Sequence, residues 1–246
     1  MKLEQRHVLV IGAAGGIGRQ IAGELIRRGT PVTGVDINPS ASSDQSYQHI
    51  EVDFSRESAV DKVLQSLERP PTHVISVAGG ALKAEVRSTT PWVDGLRLMK
   101  PTIDANLGTS LNAIRAILPF GTTSGDRAVI LCSSINSTGS YGYLSYSASK
   151  GAVESTVRSA THPLGRLGIR INAVRLGTVL TPQAENLHGP VEGEHFTALM
   201  RGSALGRFVT MTEAAQACVG LALDLTAVTG IVLTVDCGQT VPHAHD

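Results

Sequence analysis

Short apolar runs alternate with longer segments of helical periodicity along the whole chain, and this alternation limits the possible folds most strongly. The short runs are rich in Val and Ile and resemble strands buried on both faces. They predict strands at residues 7–12, 31–36, 72–79, 127–133, 170–177 and 230–236, with a further short strand at 48–53. Helical spacing is found at residues 17–28, 56–68, 102–118, 146–166 and 212–224. The alternation predicts an α/β fold, a doubly wound parallel sheet of about seven strands with helices on both faces.

Composition and charge exclude several classes of partner. The chain carries 21 basic and 21 acidic residues, with no run of Lys or Arg, so nucleic acid and anionic membrane surfaces are not expected partners. No apolar run approaches the roughly 18 residues of a membrane span. The three cysteines are widely spaced, which predicts reduced thiols, no metal site and a cytoplasmic location. Since composition changes little along the chain, residues 1–246 are expected to form a single domain.

A glycine-rich segment, "GAAGGIG" at residues 12–18, joins the first predicted strand to an amphipathic helix. The unpaired amides and positive end of a helix bind phosphate well, and glycines let phosphate approach the backbone. The spacing is G-x-x-x-G-x-G rather than the commoner G-x-G-x-x-G, and such turns also occur simply for close helix–sheet packing. We predict a dinucleotide pyrophosphate site. Its expected contacts are Gly12, Gly15, Gly16, Ile17 and Gly18.

An aspartate closes the second predicted strand about twenty residues past these glycines. An acid here can accept hydrogen bonds from the adenosine ribose hydroxyls and would repel a 2′-phosphate. The next residue, Ile37, is not an arginine that could hold such a phosphate. Asp36 therefore predicts NAD rather than NADP, provided that the glycines bind a dinucleotide, because an aspartate after a strand is otherwise an ordinary turn residue.

The segment "YSASK" places Tyr146 and Lys150 on one face of a predicted helix. A phenol with a pKa near 10 is a poor base at neutral pH. An ammonium about 4 Å away would stabilise the phenolate by roughly 4 kcal/mol at an effective dielectric constant of 20. That stabilisation corresponds to lowering the phenol pKa by about three units, against the opposing effect of desolvation. The pair is thus suited to proton transfer at a carbinol, although a surface pair with this spacing would carry no function.

These segments occur together with "VD" at 52–53, "VAG" at 77–79, "DANLG" at 104–108 and "VDCG" at 235–238. In this order the chain resembles the short-chain dehydrogenase/reductase family in its compact single-domain form, over essentially its whole length. The resemblance implies a Rossmann fold, hydride transfer between a nicotinamide cofactor and a secondary alcohol or ketone, and assembly as a homotetramer. In that tetramer helices 102–118 and 146–166 would pair across one two-fold axis and the last strand and tail across another, and a dimer remains the alternative.

The resemblance also assigns roles to individual residues. Tyr146 would be the general acid/base, and Lys150 would lower its pKa and bind the nicotinamide ribose. Asn106 would hold a water of the proton relay at a kink in its helix, and Asp53 would contact the adenine amino group. Further cofactor contacts are implied for Ala78, Gly79, Gly177, Val179 and Thr181.

The serine that hydrogen-bonds the substrate oxygen can be either of two neighbours. Family spacing places it thirteen residues before the tyrosine, which selects Ser133. The common "SS" strand ending assigns the role to the second serine, Ser134, with a one-residue deletion in the loop. Since strand residues alternate between faces, only one of them faces the cleft, and we favour Ser133.

Residues 182–206 show no clear periodicity and follow a late strand, which predicts a flap over the substrate. Apolar residues in the flap and just after it, together with Tyr141 and Tyr143, favour an apolar or aromatic neutral substrate, although they could equally pack the flap itself. These apolar residues are Phe196, Leu199, Met200, Leu205 and Phe208. Two other functions remain open, an NADP-dependent ketone reductase on the same scaffold and a dinucleotide-sensing protein without catalysis. The sensor is disfavoured because the tyrosine, the lysine, Asn106 and a serine are all present.

Overall fold

A computed structural model of the chain describes residues 6–40, 44–121, 125–139 and 142–241. Its centre is a parallel sheet of seven strands in the order β3-β2-β1-β4-β5-β6-β7. The strands are β1 Val8–Ile11, β2 Val32–Asp36, β3 Tyr47–Glu51, β4 His73–Ser76, β5 Arg127–Ser134, β6 Ile169–Leu176 and β7 Val232–Val235. The predicted fold class is confirmed.

The chain reverses its direction across the sheet between β1 and β4. β1 pairs with β2 on one side and with β4 on the other, so the connections after β1 and β4 leave on opposite sides. In doubly wound sheets such a reversal opens a crevice at the carboxyl ends of the strands, where ligands bind. The glycine turn after β1 and the segment after β4 therefore border the same crevice.

Helices cover both faces of the sheet. They are α1 Gly16–Arg27, α2 Ser58–Gln65, α3 Lys83–Val86, α4 Pro91–Arg97, α5 Met99–Ile103, α6 Thr109–Ile117, α7 Leu144–Gly165, α8 Pro182–His188, α9 Glu194–Arg201 and α10 Met211–Val219. α1 and α10 contribute to the apolar core on one face, and α2, α6 and α7 to the core on the other. Alternate residues of β5 enter the two cores, for example Ile130 and Leu131.

Some helices do not appear in the sequence pattern. α3 and α4 span only 4 and 7 residues, and the predicted flap contains α8 and α9, of 7 and 8 residues. Elements of one or two turns present too few residues for apolar periodicity to emerge. Local chemistry accounts for the start of α8, because Thr181 accepts a hydrogen bond from the Ala184 amide at 3.1 Å and Pro182 opens the helix.

The predicted helix over 102–118 is interrupted. A π-helical segment, Asp104–Gly108, lies between α5 and α6 and contains Asn106. Such π-bulges widen one turn and frequently mark functional sites. The π-helical segment therefore lies at the position where the resemblance implies a kink. Among the described helices, none is both long and apolar enough to cross a membrane.

Candidate active site

A catalytic corner forms where β5 ends and α7 begins. Tyr146 lies in the first turn of α7, and its hydroxyl is close to the side chain of Ser134, the last residue of β5. Ser134 also caps a short 3-10 helix, Ile135–Thr138, by accepting a hydrogen bond from the Asn136 amide at 3.2 Å. The Ser134 hydroxyl donates to the Asn136 side-chain oxygen at 3.2 Å. Tyr146 and Ser134 are thus held together across the end of the sheet.

Lys150 lies one turn after Tyr146 and is buried. Its Nζ is 5.7 Å from the centroid of the Tyr146 ring and donates a hydrogen bond to the Cys132 carbonyl at 2.8 Å. An ammonium has three donors, so two remain for other acceptors, such as ribose hydroxyls. This bond to β5 fixes the side chain beneath the corner.

The electrostatics of the corner differ from the sequence expectation. Burial raises the pKa of Tyr146 well above its ordinary value, and the hydrogen bond with Ser134 opposes that rise only in part. Burial also lowers the pKa of Lys150. The phenol pKa thus lies above its ordinary value, whereas the sequence predicted a value closer to neutrality. Desolvation disfavours the phenolate, and the ammonium is directed at a carbonyl rather than at the phenol oxygen.

The two neighbouring serines separate, as strand alternation requires. Ser133 points toward the middle of α7, where its hydroxyl donates to a Glu154 carboxylate oxygen at 2.8 Å. Ser134 faces Tyr146. This geometry favours Ser134, rather than the preferred Ser133, as the serine that could reach a substrate oxygen beside Tyr146.

Asn106 is fully buried beside the crevice and braces the segment after β4. Its Nδ2 donates to the carbonyls of Gly80 and Thr102 at 3.1 and 2.9 Å, and its Oδ1 accepts from the Gly80 amide at 3.0 Å. A Cβ on Gly79 would overlap this Oδ1. Asn106 thus shapes the loop that contains Ala78 and Gly79.

The glycine turn provides a backbone surface suited to phosphate. Gly12 has φ = +87°, and a Cβ on Gly18 would overlap the Gly12 carbonyl oxygen, so both positions require glycine. Gly15 is the N-cap of α1 and has no side chain to cap the helix, and the first turn contains no acid. The first amides of α1, at Gly16 and Ile17, thus have neither a side-chain cap nor an acid within their own turn, which suits the binding of an anion.

Asp36 lies against this same turn. One of its carboxylate oxygens accepts from the Ala14 amide at 3.0 Å, and the other accepts from the Asn38 amide at 2.9 Å. The acid at the end of β2 is therefore next to the glycines. The glycine turn fits the pyrophosphate of a dinucleotide, and Asp36 fits its adenosine ribose.

The chain also matches known proteins over nearly its whole length. A family profile described as enoyl-(acyl carrier protein) reductase matches residues 12–240. An uncharacterized oxidoreductase of Schizosaccharomyces pombe is 30% identical over 249 residues, covering 97% of this chain and 92% of its own. The (3R)-3-hydroxyacyl-CoA dehydrogenase of Canis lupus familiaris is 26% identical, covering 76% and 79%. A solved oxidoreductase of the short-chain family from Burkholderia thailandensis superposes with a TM-score of 0.82 at 26% identity, covering 96% and 93%.

The chain belongs to the short-chain dehydrogenase/reductase family. It is accordingly an oxidoreductase that acts on a CH–OH or carbonyl group of a small molecule, with a nicotinamide dinucleotide as cofactor. Cys237, in the "VDCG" segment, adopts φ = +54°, a left-handed conformation in which glycine is favoured.

Other residues with expected cofactor contacts surround the crevice of this short-chain dehydrogenase/reductase. Gly177 packs so closely on Asp236 that a Cβ would lie 2.7 Å from its Cα. Val179 pairs with Val209, and Thr181 lies against Gly16 of the glycine turn.

Asp53 follows β3 at the edge of the crevice and is engaged locally. It accepts hydrogen bonds from the Ser55 hydroxyl at 2.6 Å and from Arg56 Nε at 3.1 Å. The bond from Ser55 is the main cause that lowers the pKa of Asp53. An ionised carboxylate has acceptor positions beyond those used here, so the expected contact with the adenine amino group is compatible with this arrangement.

In this short-chain dehydrogenase/reductase, residues of the predicted flap contact the segment that follows β4. The Gln183 amide lies against Gly80, and Arg87 donates to the Asn186 carbonyl at 2.6 Å. A row of rings joins the flap to the start of α7, in which neighbouring centroids are 4.4 to 6.1 Å apart. Its members are Tyr143, His188, His195, Phe196 and Phe208. Tyr141 lies outside the described residues.

Two buried acids beside the corner were not anticipated. Glu85 is fully buried and accepts the Ser145 amide, next to Tyr146, at 2.8 Å. Glu154 is buried one turn after Lys150. The second could have been found from the sequence, because helical spacing places residue 154 on the buried face with Lys150. Glu85 lies in a four-residue helix whose sequence has no recognisable pattern.

Proposed function

We propose that this protein transfers a hydride between NAD and a secondary alcohol or its ketone, with Tyr146 as general acid/base. The observation that carries the proposal is the proximity of Tyr146 to Ser134, with Lys150 buried beside them and the glycine turn across the same crevice. A dinucleotide-sensing role would not require this combination of proton donors.

The chain's own groups handle the proton. When bound, the nicotinamide ring supplies or accepts the hydride. The Ser134 hydroxyl donates a hydrogen bond to the substrate oxygen, and the Tyr146 hydroxyl gives its proton to that oxygen in reduction and takes it back in oxidation. Because burial raises the pKa of Tyr146, the phenol is protonated at neutral pH, which is the form that carbonyl reduction needs. The Lys150 ammonium holds the nicotinamide ribose and favours the phenolate in the reverse direction.

The remaining contacts support NAD as the cofactor. Gly12, Gly15, Gly16, Ile17 and Gly18 would cradle the pyrophosphate, and Asp36 would accept from the adenosine ribose hydroxyls. Val179 would bind the carboxamide through its backbone, Asn106 would hold a relay water, and Asp53 would contact adenine.

The substrate is proposed to be a small alcohol or ketone enclosed by the flap. One relative is a (3R)-3-hydroxyacyl-CoA dehydrogenase, and the mouse 3-oxoacyl-[acyl-carrier-protein] reductase is 27% identical over 237 residues. A test panel therefore contains 2-butanol, cyclohexanol, 1-phenylethanol and 3-hydroxybutyryl-CoA, each assayed with NAD and with NADP.

The decisive experiment is Tyr146→Phe, assayed with the fastest substrate of that panel. We expect kcat to fall by roughly 10²- to 10⁴-fold, the usual contribution of general acid–base catalysis, with NAD affinity retained. Lys150→Ala should lower both kcat and NAD affinity, because it affects the phenol and the ribose. Calorimetric titration with NAD measures binding independently of turnover. A Tyr146→Phe protein that keeps most of its rate would contradict the mechanism.

We also propose that the protein is a cytoplasmic homotetramer. A groove lies between α6 and α7, with Ile114 and Leu118 on one side and Ala152 and Ala160 on the other. Leu111 and Leu118 expose more than a third of their surface nearby, which supports pairing of this face with a second copy. Sedimentation equilibrium at micromolar concentration distinguishes monomer, dimer and tetramer.

A further inference from the structure

One buried carboxylate of α7 has no part in the chemistry proposed above. Glu154 follows Lys150 by four residues, so it lies one turn further along the same face of the helix. Its side chain is only 5% exposed. An ionised carboxylate is costly to bury unless it is paired and hydrogen-bonded, so an acid at this position needs specific partners.

The charge of Glu154 is balanced from β6. Arg175 donates from Nε to Oε1 at 2.8 Å and from Nη2 to Oε2 at 2.6 Å, a bidentate pair. Burial would raise the pKa of Glu154, but hydrogen bonds from Arg175, Ser137 and Ser133 lower it below its ordinary value. The carboxylate is therefore ionised at neutral pH and fixed in orientation.

The same carboxylate holds the chain on both sides of Ser134. The hydroxyls of Ser133 and Ser137 donate to Oε1 at 2.8 and 2.6 Å. Ser134 lies between them, in the turn from β5 into the 3-10 helix. Glu154 belongs to the helix that carries Tyr146, so a single atom ties both ends of the Ser134 turn to that helix.

We propose that Glu154 is a positioning residue that fixes Ser134 relative to Tyr146 through Ser133 and Ser137. The inference rests on the proposed function, because it assumes that Ser134 and Tyr146 act on the substrate oxygen. A displacement of about 1 Å at a reacting group can cost about 10²-fold in rate, so a brace of this kind acts on kcat rather than on cofactor binding.

The test variant is Ser133→Ala with Ser137→Ala, which removes both bonds to Oε1 and leaves the Glu154–Arg175 pair intact. With the fastest alcohol of the panel, kcat should fall roughly tenfold, while the dissociation constant for NAD stays within about twofold. Glu154→Gln should also lower kcat, because the amide nitrogen faces the Arg175 guanidinium. Combining all three substitutions should lower kcat by less than the product of the separate effects, because they remove the same contacts.

Thr72→Val is the matched control for lost stability. The Thr72 side chain is buried just before the central strand β4, at the end of the sheet opposite to the crevice, where its hydroxyl accepts from the His7 amide and donates to the His7 carbonyl. This variant should lower the melting temperature and leave kcat unchanged. The Ser133/Ser137 variant should lower both.

The outcomes separate the inference from the proposed function. If the Ser133/Ser137 variant keeps kcat within twofold while Tyr146→Phe and Ser134→Ala lose activity, the positioning role is wrong and the mechanism stands. If Tyr146→Phe keeps its activity, the mechanism itself is wrong. If the Ser133/Ser137 variant loses NAD affinity together with kcat, the carboxylate has a general structural role and the inference is overturned.

Discussion

The two sides of the crevice present different chemical groups, backbone amides on one side and side chains on the other. The glycine turn presents backbone amides, and its shape depends on missing side chains, since Gly18 would strike the Gly12 carbonyl if it carried a Cβ. The catalytic corner presents side chains, and its shape depends on buried polar groups on β5, α7 and β6 that hydrogen-bond one another.

This difference has a consequence for how each side responds to substitution. A backbone surface is specified by neighbouring residues in the chain, so a single added methyl group is expected to alter it. The catalytic corner is specified by contacts among residues distant in the chain. Substitutions there should therefore lower kcat before they lower the affinity for the cofactor.

Among the substitutions that compare the two sides of the crevice, the largest expected effect on kcat comes from replacing the serines of the corner one at a time. Ser134→Ala should lower kcat by roughly 10²- to 10³-fold, as the loss of one donor to a reacting oxygen does in other enzymes. Ser133→Ala should cost less than tenfold, because its hydroxyl bonds Glu154 rather than the cleft. Steady-state kinetics of the two proteins compares them directly. The reverse order would show that Ser133 turns into the crevice when substrate binds.

A smaller effect is expected on the backbone side from Gly18→Ala. Its Cβ would overlap the Gly12 carbonyl oxygen, and relieving backbone strain of up to about 3 kcal/mol would displace the turn. We expect NAD affinity to fall by up to about 10²-fold. Gly23→Ala is the matched control on the same helix, because nothing lies within 4 Å of its Cβ position. It should leave binding unchanged and stabilise the protein by roughly 0.5–1 kcal/mol. Equal binding by both variants would show that the pyrophosphate lies elsewhere.

The smallest expected effect comes from the one side chain on the backbone side, Asp36. Asp36→Ala removes charge-assisted hydrogen bonds, which contribute about 1.5–3 kcal/mol, and also removes repulsion of a 2′-phosphate. NAD should lose roughly 10- to 10²-fold in kcat/KM, while NADP holds or gains. The measurement is the ratio of kcat/KM with NAD to kcat/KM with NADP, in wild type and in the variant, which shows whether Asp36 sets the cofactor preference. Equal use of both cofactors by the wild type would mean that Asp36 only orders the turn through Ala14.

Much of the fold and part of the site follow from local patterns. The strands and the long helices were predicted because continuous burial and helical spacing leave a signature over many residues. Asp36 was predicted to serve the same ligand as the glycine turn because it closes the second strand about twenty residues past the glycines, and the parallel pairing of β1 with β2 brings the two together. The short helices α3, α4, α8 and α9 were not predicted, since one or two turns offer too little periodicity.

The electrostatic expectation failed for a different reason. The estimate of a lowered phenol pKa assumed an ammonium about 4 Å from the phenol oxygen and named desolvation as the opposing effect. In the structure the Lys150 ammonium donates to the Cys132 carbonyl, and burial of Tyr146 is the largest influence, so the phenol pKa is raised.

The sequence by itself determined the parallel sheet, the position of the dinucleotide turn and the pairing of Tyr146 with Lys150 on one helical turn. Each of these depends on residues close together in the chain or on periodicity. The tertiary structure alone decided that Ser134 rather than Ser133 meets Tyr146, and that Glu154 becomes buried against Arg175. Those outcomes depend on how the end of β5 packs against α7, which begins ten residues later, and on where β6 ends, some forty residues later. No local sequence pattern encodes which face of β5 is turned toward which of these elements.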